Sequence, residues 1–323
     1  MNILLGEQLT VQLNEVCNLH CSYCMASVGN GYMSKEDLDY LKDFILRNKI
    51  KLIKITGGEP SLYPYFIEFI NWLLSKNISC LIFSNLTTNV NLEQLMVPSS
   101  GYCKFLVNVS EKDLLSEGQL KIRNNNVDVL IAKGISVNVS CTIFDANFEK
   151  NLKNAVSYAQ KYKSEILRIS VANPKCDGQN VFLSPLYYES VLKGVLSMID
   201  LWTFKRVIWD CALPKCLFTK EVYSLAQEQL EITSICSPRF NINYKLGVEH
   251  CYVVDGESSP SIYDFNNLDE LKVYILNAYE KMNVKLSPFE ECHMCEHKQS
   301  CSACYGLRGL LNGGSIKTYG IFR

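Results

Sequence analysis

Between residue 9 and about residue 172, short runs of apolar and β-branched residues alternate with longer stretches whose apolar positions recur every three or four residues. The short runs predict strands at Leu9–Leu13, Lys51–Thr56, Ser79–Phe83, Lys104–Val109, Ile135–Thr142 and Ile166–Ala172. The longer stretches predict helices. One begins at Ser34, where Ser-Lys-Glu-Asp reads as a cap with acids in the first turn, and runs to about Asn48. Others cover Tyr65–Lys76, Glu117–Lys133 and Phe148–Tyr162, and a further helix at Pro185–Ile199 follows the sixth strand. Strand and helix in strict alternation imply a parallel sheet and exclude a helical bundle or a β-sandwich. Periodicity alone does not separate an open, doubly wound sheet from a barrel. Along the fifth strand Asn138, Ser140 and Thr142 alternate, so one face of it is polar: a cavity wall in a barrel, or ordinary strand residues.

Composition narrows the class. The 323 residues carry a formal charge of −1, which gives no electrostatic footprint for nucleic acid or an anionic membrane surface. No apolar run approaches the length of a membrane span, and Met1–Gly6 lack the basic region and apolar core of a signal peptide. A cytoplasmic setting is expected. Fifteen cysteines without a secretion signal point to metal binding or catalysis rather than disulfides. Cys80, Cys103 and Cys141 fall in strands among apolar neighbours and read as small core residues.

The densest chemistry follows the first strand. Cys17-Asn18-Leu19-His20-Cys21-Ser22-Tyr23-Cys24 places three cysteines at C-x3-C-x2-C spacing. Such a loop can wrap three thiolates round one corner of an iron–sulfur cube and leave the fourth iron without a protein ligand. Zinc is the alternative, but a structural zinc site is normally closed by four ligands, and no fourth cysteine is near. A second motif, Gly57-Gly58-Glu59-Pro60, ends the second strand. Paired glycines let backbone approach a ligand closely, and a carboxylate there can hold an ammonium group; an ordinary tight turn is the other reading.

Together, C-x3-C-x-aromatic-C and a strand ending in GGEP resemble the radical S-adenosylmethionine (radical SAM) superfamily. The resemblance implies a partial (β/α)6 barrel with its site at the strands' C-terminal ends. It implies that Cys17, Cys21 and Cys24 hold a [4Fe–4S] cluster whose open iron binds SAM, with Gly57, Gly58, Glu59 and Pro60 holding the SAM amino group and Tyr23 completing the motif. It further suggests Ser84 and Asn85 near SAM, Asn108 and Ser110 at its ribose, and Arg168 directed toward its carboxylate; each is equally readable as a cap or surface hydrogen bond. A reducing partner such as flavodoxin or ferredoxin is expected. Some members use a thiol as hydrogen-atom donor; Cys176, in a turn-rich loop after the sixth strand, reads more simply as structural.

From Cys211 onward the cysteine pattern changes, with Cys211, Cys216, Cys236, Cys251, Cys292, Cys295, Cys301 and Cys304. These are ligands for two cubanes or two zinc ions, His293 and His297 being optional for zinc. Cys236 and Cys251 flank a predicted hairpin, Asn241–Tyr244 with a turn at Gly247. This region resembles the SPASM extension that carries auxiliary [4Fe–4S] clusters. By that resemblance Cys236, Cys251 and Cys304 serve one cluster, Cys292, Cys295 and Cys301 the other, and Cys211 and Cys216 are spare ligands, one for each. Two departures stand: the last spacing is C-x2-C, and no cysteine follows Cys304. The expected organisation is a barrel over residues 1–200 and a Cys-rich auxiliary domain over 201–323.

The resemblance implies an enzyme that modifies a ribosomally made precursor peptide by crosslinking, dehydrogenation or epimerisation. The first strand starts near residue 9, so a precursor-recognition module is expected on a separate chain. Oxidation or rearrangement of a small molecule such as an amino sugar is the second reading. A zinc module used only for binding is the third.

Overall fold

The computed structural model describes residues 8–26, 28–97, 99, 101–109, 115–174, 180–198, 204–236, 239–249, 251, 259–285, 292 and 294–302. Its centre is a nine-stranded sheet in the order β7-β6-β5-β4-β3-β2-β1-β8-β9. The strands are β1 (Gln8–Gln12), β2 (Leu52–Thr56), β3 (Ser79–Ser84), β4 (Cys103–Asn108), β5 (Ser136–Ile143), β6 (Ile166–Val171), β7 (Arg206–Trp209), β8 (Asn241–Ile242) and β9 (Val248–Glu249). All neighbours pair parallel except β8 and β9, which form an antiparallel hairpin. The edge strands β7 and β9 do not pair with each other, so the sheet is a partial barrel.

Six strands and five helices lie where the periodicity put them. The helices are α1 (Lys35–Arg47), α2 (Phe66–Ser75), α3 (Glu117–Ala132), α4 (Phe148–Lys161) and α5 (Tyr188–Ser197). Ser34 caps α1 by accepting from Asp37 N at 3.0 Å, and Leu38, Leu41, Phe44 and Ile45 form its buried stripe. Helices α6 (Lys220–Gln229) and α7 (Leu268–Lys285) were not foreseen, nor was β7. β7 is four residues long, too short to show a period, and it exists because it can add to the free edge of β6. The predicted hairpin is present and joins the barrel sheet: β8 pairs with β1, Thr10 opposite Asn241 and Val11 opposite Ile242. Its turn is held by Asn243, whose side-chain oxygen accepts from Lys245 N at 3.0 Å and Gly247 N at 2.8 Å. Strands from beyond residue 200 thus extend both edges of the sheet.

The two faces of the sheet differ in chemistry. Ile53 and Ile55, Cys80 and Ile82, Val137 and Val139, and Leu167 and Ile169 are all buried. The alternate positions, Lys54 and Thr56, Leu81 and Phe83, Lys104 and Asn108, Asn138 and Ser140, and Arg168, line cavities inside the barrel. Cys80, Cys103 and Cys141 are at most 2% exposed, as expected of core residues. Phe69 of α2 is fully buried in the core. Phe69→Ala is expected to lower stability by about 3–5 kcal/mol in a denaturant titration, the cost of a large aromatic cavity.

Candidate active site

The cysteine loop leaves β1 through Leu13 and Asn14, both fully buried. It is spliced to the GGEP segment by backbone: Gly58 N donates to Asn14 O at 2.9 Å and Glu59 N to Val16 O at 2.7 Å. The Asn14 side chain adds a third tie, Nδ2 to Glu59 O at 3.0 Å. This is what the two glycines are for. A Cβ on Gly57 would lie 2.5 Å from Asn14 Oδ1, and one on Gly58 2.4 Å from Val16 O. The close approach they permit is therefore to the chain's own loop entrance.

Glu59 is 1% exposed, and its carboxylate draws in donors from two segments. Oε1 accepts from Ser61 N (3.0 Å), Ser61 Oγ (2.6 Å) and Ser84 Oγ (2.7 Å); Oε2 accepts from Asn85 N (2.7 Å) and retains acceptor capacity. Burial pushes its pKa up, and the hydrogen bonds oppose that shift. Pro60 starts a short turn that Glu59 caps, a position where its missing N–H costs nothing.

A cavity of about 200 Å3 opens beside these groups, lined by Cys17, Cys21 and Cys24, Tyr23, Thr56 to Glu59, Ser84, Asn85, Asn108, Ser140, Arg123 and Arg168. Cys17, Cys21 and Cys24 thus all line this one cavity. Burial raises the Cys17 thiol to about 11, aided by the Glu59 charge, while Leu19 N donates to its sulfur at 3.4 Å. Tyr23 is buried and stacks on Phe144, ring centroids 4.9 Å apart, with its hydroxyl accepting from Asn108 Nδ2 at 3.3 Å. Ser84 and Asn85 line the cavity and also serve their own loop: Ser84 Oγ accepts from Leu86 N, and Asn85 Oδ1 from Thr87 N at 2.8 Å. Ser110, Cys176 and Cys304 lie outside the described residues, as does His293.

Arg168 lines the cavity with its charge already answered. Its guanidinium pairs with Asp210, which also takes Arg239 at 2.9 Å, and its Nη1 donates to Ser140 Oγ at 3.2 Å. Burial works against the Asp210 charge, but the two guanidiniums outweigh it and hold its carboxyl below the usual range.

Three residues in the site had no sequence signal. Arg123 of α3 is 3% exposed, donates from Nε to Asn85 O at 2.9 Å, and pairs with no carboxylate among the described residues. Asn18 ties the cysteine loop to the β3 end, donating to Thr87 Oγ1 (2.8 Å) and accepting from Asn85 Nδ2 (3.0 Å). Asn180 donates to Tyr23 O at 3.2 Å and to Asn173 O at 2.9 Å, strapping the segment after β6 across the loop. Each acts on a partner distant in sequence, so no local pattern betrays it.

The later cysteines gather in two places. Cys216, though exposed, lies within electrostatic reach of Cys292, Cys295 and Cys301. Cys236 is pushed up to about 12 by burial and by Cys251, and Arg239 sits within reach of both Cys211 and Cys251. Ser302 joins the groups, accepting from Cys236 N at 2.6 Å and donating from its own N to Ser234 O at 2.8 Å. Among the described residues no three His, Cys, Asp or Glu side chains close on a single metal ion. A cubane makes no such demand, because each thiolate meets a different iron.

Parallel strands feeding a cysteine loop and a GGEP turn at one end of a partial barrel define a class of metal-dependent α/β enzyme. Residues 11–97 match the family model described as the Radical SAM superfamily, and that stretch holds both the cysteine loop and the GGEP turn. GTP 3',8-cyclase of Helicobacter pylori (strain HPAG1) is 24% identical over 304 residues, spanning 87% of each chain. The sporulation killing factor maturation protein SkfB of Bacillus subtilis (strain 168) is 27% identical over 150 residues, 44% of this chain and 37% of that one. The fold is shared with Streptococcus suis SuiB bound to precursor peptide SuiA, at a TM-score of 0.68 and 13% identity over 96% of this chain and 74% of that one. It is also shared with anSMEcpe bound to AdoMet and the Cp18Cys peptide, at a TM-score of 0.64 and 16% identity over 98% and 95%. The family of that model implies a [4Fe–4S] cluster and SAM, and the chain is an enzyme. The donor set fits such a group: Cys17, Cys21 and Cys24 all line the one cavity.

Two outcomes test this geometry. Gly58→Ala is expected to displace the loop entrance and lower the iron retained after reconstitution, measured per chain against the wild type. Asp210→Asn leaves two guanidiniums without their anion and is expected to cost about 3 kcal/mol at neutral pH. Because the folded-state pKa is depressed, the wild-type advantage is full above about pH 4 and shrinks as the pH falls below it, which urea titrations at several pH values check.

Proposed function

We propose that this enzyme modifies a peptide, and that residues 201–323 act as a SPASM-like auxiliary domain holding two further [4Fe–4S] clusters. The observation that carries the reading is the grouping of the later thiols. Cys216 joins Cys292, Cys295 and Cys301, and Cys211 falls with Cys236 and Cys251 around Arg239, the division expected if each spare cysteine completes one cluster. The precursor peptide named with SuiB, the peptide named with anSMEcpe and the maturation role named for SkfB support the same substrate class.

In this reading Cys17, Cys21 and Cys24 hold the cluster that binds SAM. When bound and reduced, that group would supply one-electron radical chemistry on SAM. The protein's part is to bind, orient and exclude water. The free acceptor capacity of Glu59 Oε2 and the Gly57–Pro60 backbone receive the SAM amino group. Arg123, a buried cation that forms no ion pair among the described residues, is available to an anionic group in the upper cavity, whereas Arg168 is committed to Asp210. Asn108, fixed by Tyr23 and Thr142, is placed for a ribose hydroxyl, as is Ser110 by its motif position. Phe83, Leu106 and the Tyr23–Phe144 stack keep the walls between polar groups apolar. Reduction comes from a flavodoxin or ferredoxin.

A second reading is favoured by one observation: the match to GTP 3',8-cyclase runs along 87% of both chains, which suits a small-molecule substrate. Iron content separates the clusters. Anaerobically reconstituted wild type is expected to hold about twelve irons and a Cys17/Cys21/Cys24 triple Ala variant about eight, with SAM cleavage abolished. About four falling to none, with zinc present, overturns the auxiliary clusters. Mass and stereochemical analysis of candidate precursor peptides then tests the substrate class.

A further inference from the structure

Below the level of Phe83, Leu106 and Arg168 the barrel encloses a second cavity of about 690 Å3, walled by the N-terminal halves of the strands. Phe83, Leu106 and Arg168 line both this cavity and the upper one, and so mark the level at which the two adjoin. Five cationic side chains face the lower cavity, Lys54, Lys104, Arg168, Arg206 and Arg239, against the single carboxylate of Asp210. That carboxylate is taken by Arg168 and Arg239, and Arg206 is taken by Glu231. Two ammonium groups remain. Among the described residues neither Lys54 nor Lys104 forms a hydrogen bond or ion pair. Glu165, whose charge reaches Lys104, is itself paired with Lys205 at the surface.

Strand register sets these two lysines at one level. Lys54 of β2 is the partner of Leu81 in β3, and Leu81 is the partner of Lys104 in β4. They point into the same chamber from strands two apart, roughly 10 Å between backbones. Long flexible stems can bring both ammonium groups onto one anion across that gap. Lys54 is in an uncomfortable setting: burial, then the positive charge of Arg239, disfavour its protonated form, and Asp210 only partly compensates. The register partner of Thr10, Asn241, is 3% exposed and carries both amide atoms unpaired among the described residues, a neutral donor beside the same wall.

We propose that the lower cavity seats an oxyanion of the substrate, a carboxylate or a phosphate, held between Lys54 and Lys104. This rests on reading the barrel as the substrate chamber. Arg168 and Arg239 are already bound to Asp210, which leaves the two lysines as the cations open to an anion among the described residues that line this cavity. A group anchored at their level carries the atoms next to it up to the Phe83–Leu106 boundary and into the cavity that the cysteine loop faces.

The test is calorimetric titration of reconstituted full-length protein with SAM present, wild type beside Lys54→Met/Lys104→Met. The probes are the blocked peptide acetyl-Ala-Ala-Glu-Ala-Ala-amide, its Gln counterpart, and GTP. The double variant is expected to melt no lower than wild type, since it removes unpaired buried charge; Lys54→Gln serves if it does not fold. At least tenfold tighter binding of the Glu peptide than of the Gln peptide, lost in the variant, upholds a carboxylate seat. GTP binding lost at least tenfold in the variant, with neither peptide bound, upholds the seat as a phosphate site and removes the peptide reading above. No oxyanion binding more tightly to wild type than to the variant overturns the inference, and a peptide product formed by that same enzyme leaves the proposed function standing.

Discussion

A carboxylate buried with no ion-pair partner among the described residues has to be met by hydrogen-bond donors, and in this protein that requirement fixes the site. Glu59 takes four donors from Ser61, Ser84 and Asn85. Its own backbone N–H is given to Val16, at the entrance of the cysteine loop. One residue thereby couples the ends of β1, β2 and β3. The loop that carries Cys17, Cys21 and Cys24 hangs from this coupling, and the two glycines before Glu59 exist so that the splice can close without a Cβ in the way.

The same economy of polar groups shapes α3. Most helices here bury an apolar stripe, but α3 buries Arg123 and Asn126 along with Val127 and Leu130. Asn126 donates to the carbonyls of Leu86 and Thr88, both at 2.9 Å, and Arg123 to that of Asn85. The loop after β3 is buried without secondary structure of its own, and its carbonyls find partners in the helix that covers it. The helix gives up amphipathic regularity to hold the site's third side.

Inside the barrel, charge is arranged in layers. At the upper level Arg168 is neutralised by Asp210, which also binds Arg239 from the segment that follows Cys236. This cluster joins β6, the end of β7 and the later cysteine region, so the chamber's floor and the thiol groups are braced by the same carboxylate.

Much of this was legible beforehand, for local reasons. The six core strands, the helices α1 to α5 and the hairpin followed from periods of two and of three to four, and from turn residues at fixed offsets. The cysteine spacing and the GGEP turn pointed to the cluster site because those ligands sit within eight residues of each other. Arg123, Asn18 and Asn180 were not legible, because each satisfies a backbone or side-chain group brought near only by folding. β7 was too short to carry a period and was created by the edge it joined, and the pairing of β8 with β1 was likewise decided only in the fold. The sequence by itself determined the alternation of strand and helix and the residues able to bind metal, since both depend on neighbours along the chain. Tertiary structure alone decided which charges are answered and which thiols meet, since burial and contact between distant segments exist only once the sheet has closed round its cavity.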